Sequence, residues 1–138
     1  MEIIRAGEIM AFHPEHQRLP YEEAYGFGGA FIIDRYCPLI EAAIPITDCG
    51  FMHADAVYDV VSVSRGAFFR LDQHQDRFAR AREAIRVRSP YSREDEAEIL
   101  HKIVALAGLR DAYVWWTVTR GAPPLGRAEM VDPERFEC

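Results

Sequence analysis

Two β-rich runs, residues 57–64 and 112–119, enclose two segments of helical period and most constrain the fold of this chain. In the first run, alternation places Tyr58 and Val60 on one face of a strand, and Val61 and Val63 on the other. An arginine–glycine turn after residue 64 predicts a hairpin with the short strand that follows. In the second run Tyr113 and Trp115 share one face, and residues 114, 116 and 118 share the other.

Between the two runs, apolar residues recur at helical spacing and predict helices near 72–87 and 93–107. Asp72, followed three residues later by Gln75, resembles a capping box for the first helix. Ser92 is a suitable N-cap for the second helix, and Gly108 is a suitable C-terminal stop. Upstream, residues 28–40 predict a hairpin, and Cys49-Gly50 predicts a turn. The order of elements predicts an α+β domain, with an antiparallel or mixed sheet and both helices packed on one face.

Composition excludes several classes of function. The net charge is −6, and the 16 basic residues are spread along the chain, so nucleic-acid and membrane-surface partners are not expected. No apolar run reaches transmembrane length, and the N-terminus does not resemble a signal peptide. Three scattered cysteines are typical of reduced thiols, which predicts a cytoplasmic protein. His13 and His16 have an intervening proline and no third ligand, so no metal site is predicted.

A series of spaced residues resembles the class IV (fold-type IV) aminotransferases, which use pyridoxal 5′-phosphate (PLP). That family carries an aspartate, a glycine and a second aspartate, followed by an aromatic residue and then an aspartate or glutamate. Its next helix begins with a spaced Arg, Leu, His and Arg, and a later strand ends in Val-Thr-Arg-Gly. The corresponding residues here are Asp48, Gly50, Asp55, Tyr58, Asp59, Arg70, Leu71, His74 and Arg77, followed by 118–121. Within the family, the segment 50–63 looks closest to the (R)-selective amine transaminases, with branched-chain aminotransferase-like proteins beside them.

The resemblance implies that residues 26–138 are the small, N-terminal domain of such an enzyme, preceded by an arm over 1–25. PLP would bind between this domain and a larger C-terminal domain, usually in a homodimer. The large domain would supply the lysine that holds the cofactor. The only lysine here is Lys102, which the helical pattern places toward solvent. The expectation is therefore that this chain alone is inactive and that the large domain is absent from it.

The resemblance also implies roles for individual residues. Arg77 matches the arginine that contacts the cofactor phosphate, for which a guanidinium fork is well suited. The substrate pocket would be lined by His53, Tyr58, Val60, Tyr113 and Trp115. If the substrate carries a carboxylate, Arg120 and Arg127 are the nearest candidates to hold it. Asp55 and Asp59 could pose as a catalytic carboxylate pair. The expectation is instead that one of them caps a turn and that the other faces the helices or a hydrogen bond.

Several functions stay open at this point. The leading one is transfer of an amino group between an amine or amino acid and a keto acid or ketone. Many (R)-selective amine transaminases have a glutamate where this chain has Trp115, so a neutral, slender hydrophobic donor is expected. A branched-chain or D-amino-acid aminotransferase and an aminodeoxychorismate lyase-like enzyme are the alternatives. A non-catalytic, truncated remnant that dimerises or binds a partner is the alternative of another class.

Overall fold

Eight helices and strands follow one another in the computed structural model, which describes residues 23–123. They are β1 (Gly29–Ile32), β2 (Arg35–Pro38), α1 (Cys49–His53), β3 (Ala56–Ser64), β4 (Ala67–Phe68), α2 (Leu71–Ala84), α3 (Arg93–Ala107) and β5 (Ala112–Thr119). Short 3-10 turns cover Glu23–Tyr25 and Leu39–Glu41. The predicted α+β class is confirmed. Most of the proposed N-terminal arm and the end of the chain lie outside the described residues.

The strands form two separate antiparallel sheets. β1 and β2 are a hairpin, and β3 is the central strand of the order β4-β3-β5. The pairing of β3 with β5 runs from Ala56 opposite Thr119 to Val63 opposite Ala112. Because β5 pairs with β3 along almost its whole length, the two helices between them must cross the same sheet.

Both long helices cover one face of the three-stranded sheet, as predicted. The core combines sheet residues with one residue of α2 and two of α3; its members are Val61, Val63, Phe68, Leu71, Leu100, Val104 and Val114. The even-numbered side chains of β3 lie on the other face, so the predicted register of this strand is confirmed. Among residues 23–123, the long helices cover the core side of this sheet, so the face of Tyr58 and Val60 is the one left open to a bound molecule.

The caps of α3 agree with the sequence, whereas the start of α2 does not. Ser92 and Asp95 form a reciprocal capping box, and Gly108 ends α3 with a left-handed φ of 63°. At α2 the N-cap is Arg70 and makes no side-chain cap bond, so the predicted box of Asp72 and Gln75 is wrong. Gln75 is buried, and its amide donates to the carbonyl of residue 93 at 2.8 Å. Its position against α3 takes it away from its own helix end.

The predicted turn at Cys49-Gly50 is instead the start of the short helix α1. Asp48 is its N-cap and accepts a hydrogen bond from the Gly50 N–H at 2.8 Å. The other oxygen of Asp48 accepts from the Thr119 hydroxyl at 2.7 Å, which ties α1 to the end of β5. A Cβ on Gly50 would lie 2.6 Å from Cγ2 of Thr119, so only glycine fits this approach.

Candidate active site

Arg77 projects from α2 and forms a two-pronged pair with Asp59 of β3. Its Nε donates to Asp59 Oδ2 at 2.7 Å, and its Nη2 donates to Oδ1 at 2.6 Å. The Asp59 side chain is 1% exposed, whereas 62% of the Arg77 side chain remains exposed. The pair therefore anchors one edge of the guanidinium inside the protein and leaves the rest at the surface.

His74, one helical turn before Arg77, also binds this carboxylate. Its Nδ1 lies 2.7 Å from Asp59 Oδ1. A carboxylate is an acceptor, so Nδ1 carries the proton in this contact. The same nitrogen is 3.2 Å from Arg77 Nη2. Since both groups donate to Asp59, this proximity results from their shared acceptor.

Asp59 stays ionised although it is buried. Burial alone would raise the pKa of this carboxyl, but hydrogen bonds from Arg77, His74 and the Val60 N–H outweigh it and hold the pKa below its usual value. Alternation along β3 places Asp59 among the valines of the helix-covered face. The sequence left open which of Asp55 and Asp59 faces the helices, and in the structure Asp59 does.

The opposite face of the sheet carries exposed aromatic side chains. Tyr58 is 66% exposed and Trp115 is 60% exposed, and their ring centroids lie 6.2 Å apart. Tyr113, nearer the start of β5, is also exposed, and Val60 is half-buried between the neighbouring strands. Four of the five predicted pocket residues thus share one open face. The fifth, His53, is the exposed last residue of α1.

Arg120, a predicted carboxylate-binding residue, is buried at the end of β5. Its Nε donates to Asp55 Oδ2 at 2.6 Å, and its Nη2 donates to Asp55 Oδ1 at 3.1 Å and to the Ile85 carbonyl at 2.7 Å. These contacts tie β5 to the start of β3 and to the end of α2. They favour a structural role, and binding of a substrate carboxylate by Arg120 stays a prediction. Arg127 lies outside the described residues.

Two further features of residues 23–123 bear on function. Within this range, no three His, Cys, Asp or Glu side chains gather into a site that could hold a metal ion. No helix in the same range has the length and apolar composition needed to cross a membrane.

Lys102 is exposed on α3, and its Nζ lies 4.5 Å from the centre of the Tyr36 ring. His13 and His16 are outside the described part of the chain.

The sequence and the fold of this chain have counterparts among known proteins. The sequence model of the amino-transferase class IV family matches residues 56–136, more than half of the chain. The chain belongs to this family. The match begins at β3 and includes Asp59, His74, Arg77 and the aromatic strand β5.

Named relatives of this class IV aminotransferase chain match between 59% and 69% of its length. It is 37% identical over 81 residues to a D-alanine aminotransferase of Listeria monocytogenes, covering 59% of this chain and 28% of that protein. It is 27% identical over 95 residues to a putative branched-chain-amino-acid aminotransferase of Methanocaldococcus jannaschii, covering 69% of this chain and 32% of the relative. The chain thus spans less than a third of the length of these relatives.

Solved structures support the same architecture. A branched-chain amino acid aminotransferase from T.th. superposes with a TM-score of 0.65 at 23% identity, over 72% of this chain and 35% of that one. The corresponding enzyme of Thermoproteus uzoniensis gives a TM-score of 0.64 at 19% identity, over 73% and 36% of the two chains. At this identity the likeness shows the fold, and the chain has the small-domain fold of class IV aminotransferases.

Sequence reasoning assigned Arg77 to the aminotransferase cofactor but missed its partner. A signal was available: alternation places Asp59 on the same face as Val61 and Val63, and a carboxylate on a buried face requires cationic or hydrogen-bonding partners. His74 and Arg77 lie three residues apart on α2, which places both on the side of the helix that meets β3. The exact pairing depends on how the helix packs, which no local pattern specifies.

Proposed function

We propose that this chain is the small domain of a PLP-dependent aminotransferase, which moves an amino group between a neutral amino acid or amine and a keto acid. The observation that carries the proposal is the open aromatic face of Tyr58 and Trp115, which lies within the segment that matches the family. An exposed pair of large aromatic side chains is typical of a surface that another domain or a ligand covers.

The residues present fit a phosphorylated cofactor. Arg77 offers a guanidinium of which one edge is fixed by Asp59 and the remainder is exposed, which suits a phosphate dianion. When bound, PLP supplies the electron sink for amino-group transfer. The only lysine of the chain, Lys102, lies on the exposed side of α3 against Tyr36. We therefore assign the cofactor-holding lysine to another part of the full-length protein, together with the rest of the cofactor site.

The open face also favours one class of amino donor. Tyr58, Val60 and Trp115 offer apolar area, two hydrogen-bonding tips and no charge. Such a surface suits a slender, uncharged side chain better than a carboxylate-bearing one. The names of the relatives, D-alanine and branched-chain aminotransferases, support an amino acid as donor. An (R)-amine such as 1-phenylethylamine is the second candidate, because its ring could stack on the same aromatic pair.

Turnover by the full-length protein tests this proposal. The purified enzyme is supplied with PLP and a keto acid, and initial rates are compared for D-alanine, leucine and (R)-1-phenylethylamine. We expect the enzyme to convert one of these three donors with a higher initial rate than the other two. Trp115→Ala should raise kcat/KM for bulkier donors relative to D-alanine by about tenfold, since removing the indole widens the pocket. Ile33→Ala, an exposed position in the β1–β2 turn, is the matched control and should leave the ranking unchanged. A protein that binds PLP but converts none of these donors would contradict the proposal.

A further inference from the structure

The carboxylate of Asp59 is unusual among the described acidic groups because it is enclosed and receives four donors. They are Nε and Nη2 of Arg77, Nδ1 of His74 and the backbone N–H of Val60, all between 2.6 and 2.7 Å away. Two of these donors come from one arginine, and that arginine is the residue that the proposed function assigns to the cofactor phosphate.

We propose that Asp59 is a positioning residue that aims the Arg77 guanidinium at the phosphate group of the cofactor. This inference rests on the proposed function and deepens it, because it names the group that orients the phosphate-binding residue. Asp59 is enclosed and would not touch the cofactor, so it acts through Arg77.

The geometry of the guanidinium supports this role. A guanidinium is planar and carries five N–H donors, of which Asp59 takes one on Nε and one on Nη2. Two parallel bonds to one carboxylate fix the plane of the group as well as its position. The remaining N–H donors point away from the carboxylate, and 62% of the side chain is exposed. A ligand anion would therefore meet a pre-oriented group instead of a side chain with four freely rotating bonds.

His74 fixes the other partner of the pair. Because its Nδ1 donates to the same carboxylate oxygen as Arg77 Nη2, the carboxylate plane is held from two directions. The three side chains form a small network in which only the outer part of the arginine is available to a ligand. Networks of this kind restrict the geometry of a group more than a single bond does.

A purely structural role explains these observations less well. Replacing a buried ion pair with apolar residues of similar size is often neutral or stabilising, so burial of a charge is weak evidence for a contribution to stability. Position 59 lies on the valine-rich face of β3, where an apolar residue would continue the pattern. A carboxylate at position 59 has a clear role if it sets the orientation of the Arg77 guanidinium.

The test compares two ligands that differ only in the phosphate ester. Dissociation constants for PLP and for pyridoxal are measured by absorbance titration of the full-length protein. The ratio Kd(pyridoxal)/Kd(PLP) reports the phosphate contact and falls when that contact is lost. For Asp59→Asn we expect PLP to bind about tenfold more weakly, by analogy with metal sites, where removing the hydrogen-bond partner of a ligand costs about 10- to 100-fold in affinity. Pyridoxal should change less than twofold. Asp59→Glu keeps the carboxylate and should restore part of the ratio.

Glu96→Gln is the matched control. Glu96 is a buried carboxylate on α3 and pairs with Arg82 of α2 at 2.6 Å. Its loss therefore breaks an ion pair with another arginine of α2, the helix that carries Arg77, without touching Arg77 itself. The ratio should then stay as in the wild type. A loss of general stability would weaken both ligands together and leave the ratio unchanged, so an unchanged ratio in Asp59→Asn would overturn the positioning role.

Arg77→Ala separates the two proposals. If it leaves the ratio unchanged, Arg77 does not contact the phosphate, and that part of the proposed function fails together with this inference. If Arg77→Ala lowers the ratio and Asp59→Asn does not, only the inference fails. Should Asp59→Asn not fold, Arg77→Lys serves in its place because it keeps the charge and loses the fork. A ratio as high as that of the wild type in Arg77→Lys would show that charge alone is sufficient and that alignment is not required.

Discussion

At the scale of single residues, His101 shows how burial changes the chemistry of one side chain. It lies on α3 and is 1% exposed, and the centroid of its ring lies 4.4 Å from the centroid of the Phe68 ring. Its Nδ1 is 2.6 Å from the Ala97 carbonyl and therefore carries the proton. Within the described residues, its buried Nε2 has no hydrogen-bond partner. A second proton on the ring would place an uncompensated charge in the core.

His101 is therefore expected to make the protein less stable in mild acid. Burial lowers its pKa, although the bond to Ala97 partly opposes the change. Because the folded-state pKa lies below the unfolded value of about 6.5, the unfolded state binds more protons between the two values. The stability associated with neutral His101 is complete above about pH 6.5 and declines as the pH falls toward the folded-state pKa. Each tenfold difference in proton affinity corresponds to about 1.4 kcal/mol.

Urea unfolding at pH 5, 6, 7 and 8 measures this effect. His101→Met fills a similar volume without a titrating group, so its stability should fall less between pH 7 and pH 5 than that of the wild type. His53→Gln, at an exposed histidine, is the control and should follow the wild type. An equal fall in the free energy of unfolding between pH 7 and pH 5 for the wild type and His101→Met would contradict the prediction.

At the scale of elements, the sequence was most informative where a local pattern determines a local structure. Ser92 and Gly108 mark the two ends of α3 because a cap depends on a few adjacent residues. The start of α2 was missed because Arg70 enters the helix from a left-handed conformation, with φ of 54°, and Gln75 bonds to α3 instead of capping its own helix. Both depend on tertiary packing, which overrides the local signal.

The cap of α3 gives a prediction at this scale. The Ser92 hydroxyl accepts from the Asp95 N–H at 3.1 Å, and the Asp95 carboxylate accepts from the Ser92 N–H at 3.0 Å. Ser92→Ala breaks the first bond and should lower the free energy of unfolding by about 1 kcal/mol, as loss of an N-cap does in other helices. Glu98→Ala, at an exposed position in the same helix, should change it by less than about 0.5 kcal/mol. Urea denaturation of the three proteins decides, and equal losses in both variants would show that the box is not stabilising.

At the scale of the whole molecule, strand alternation separated the two faces of the sheet correctly. It assigned Tyr58 and Trp115 to one side and Val61 and Val114 to the other, and the structure has this division. Alternation could not identify which side chains of α2 would pair with Asp59, since the pairing depends on the position of α2 over β3. The sequence thus predicted the open face of the candidate site better than its ion-pair network.

The open face leads to the last prediction, which concerns association of the 138-residue chain. Tyr58 and Trp115 form a contiguous aromatic surface, and exposed apolar patches promote association between copies. We expect the weight-average mass in sedimentation velocity to rise with concentration, because pairing two such faces removes apolar area from water. Tyr58→Ser combined with Trp115→Ser should shift this rise to at least about tenfold higher concentration, since losing some 1.4 kcal/mol of association free energy is enough for that change. Ile33→Ser removes an even more exposed apolar side chain from the β1–β2 turn and should leave the association unchanged. A monomer at every concentration, or association that persists in the double variant, would show that copies of this chain do not meet through the aromatic face.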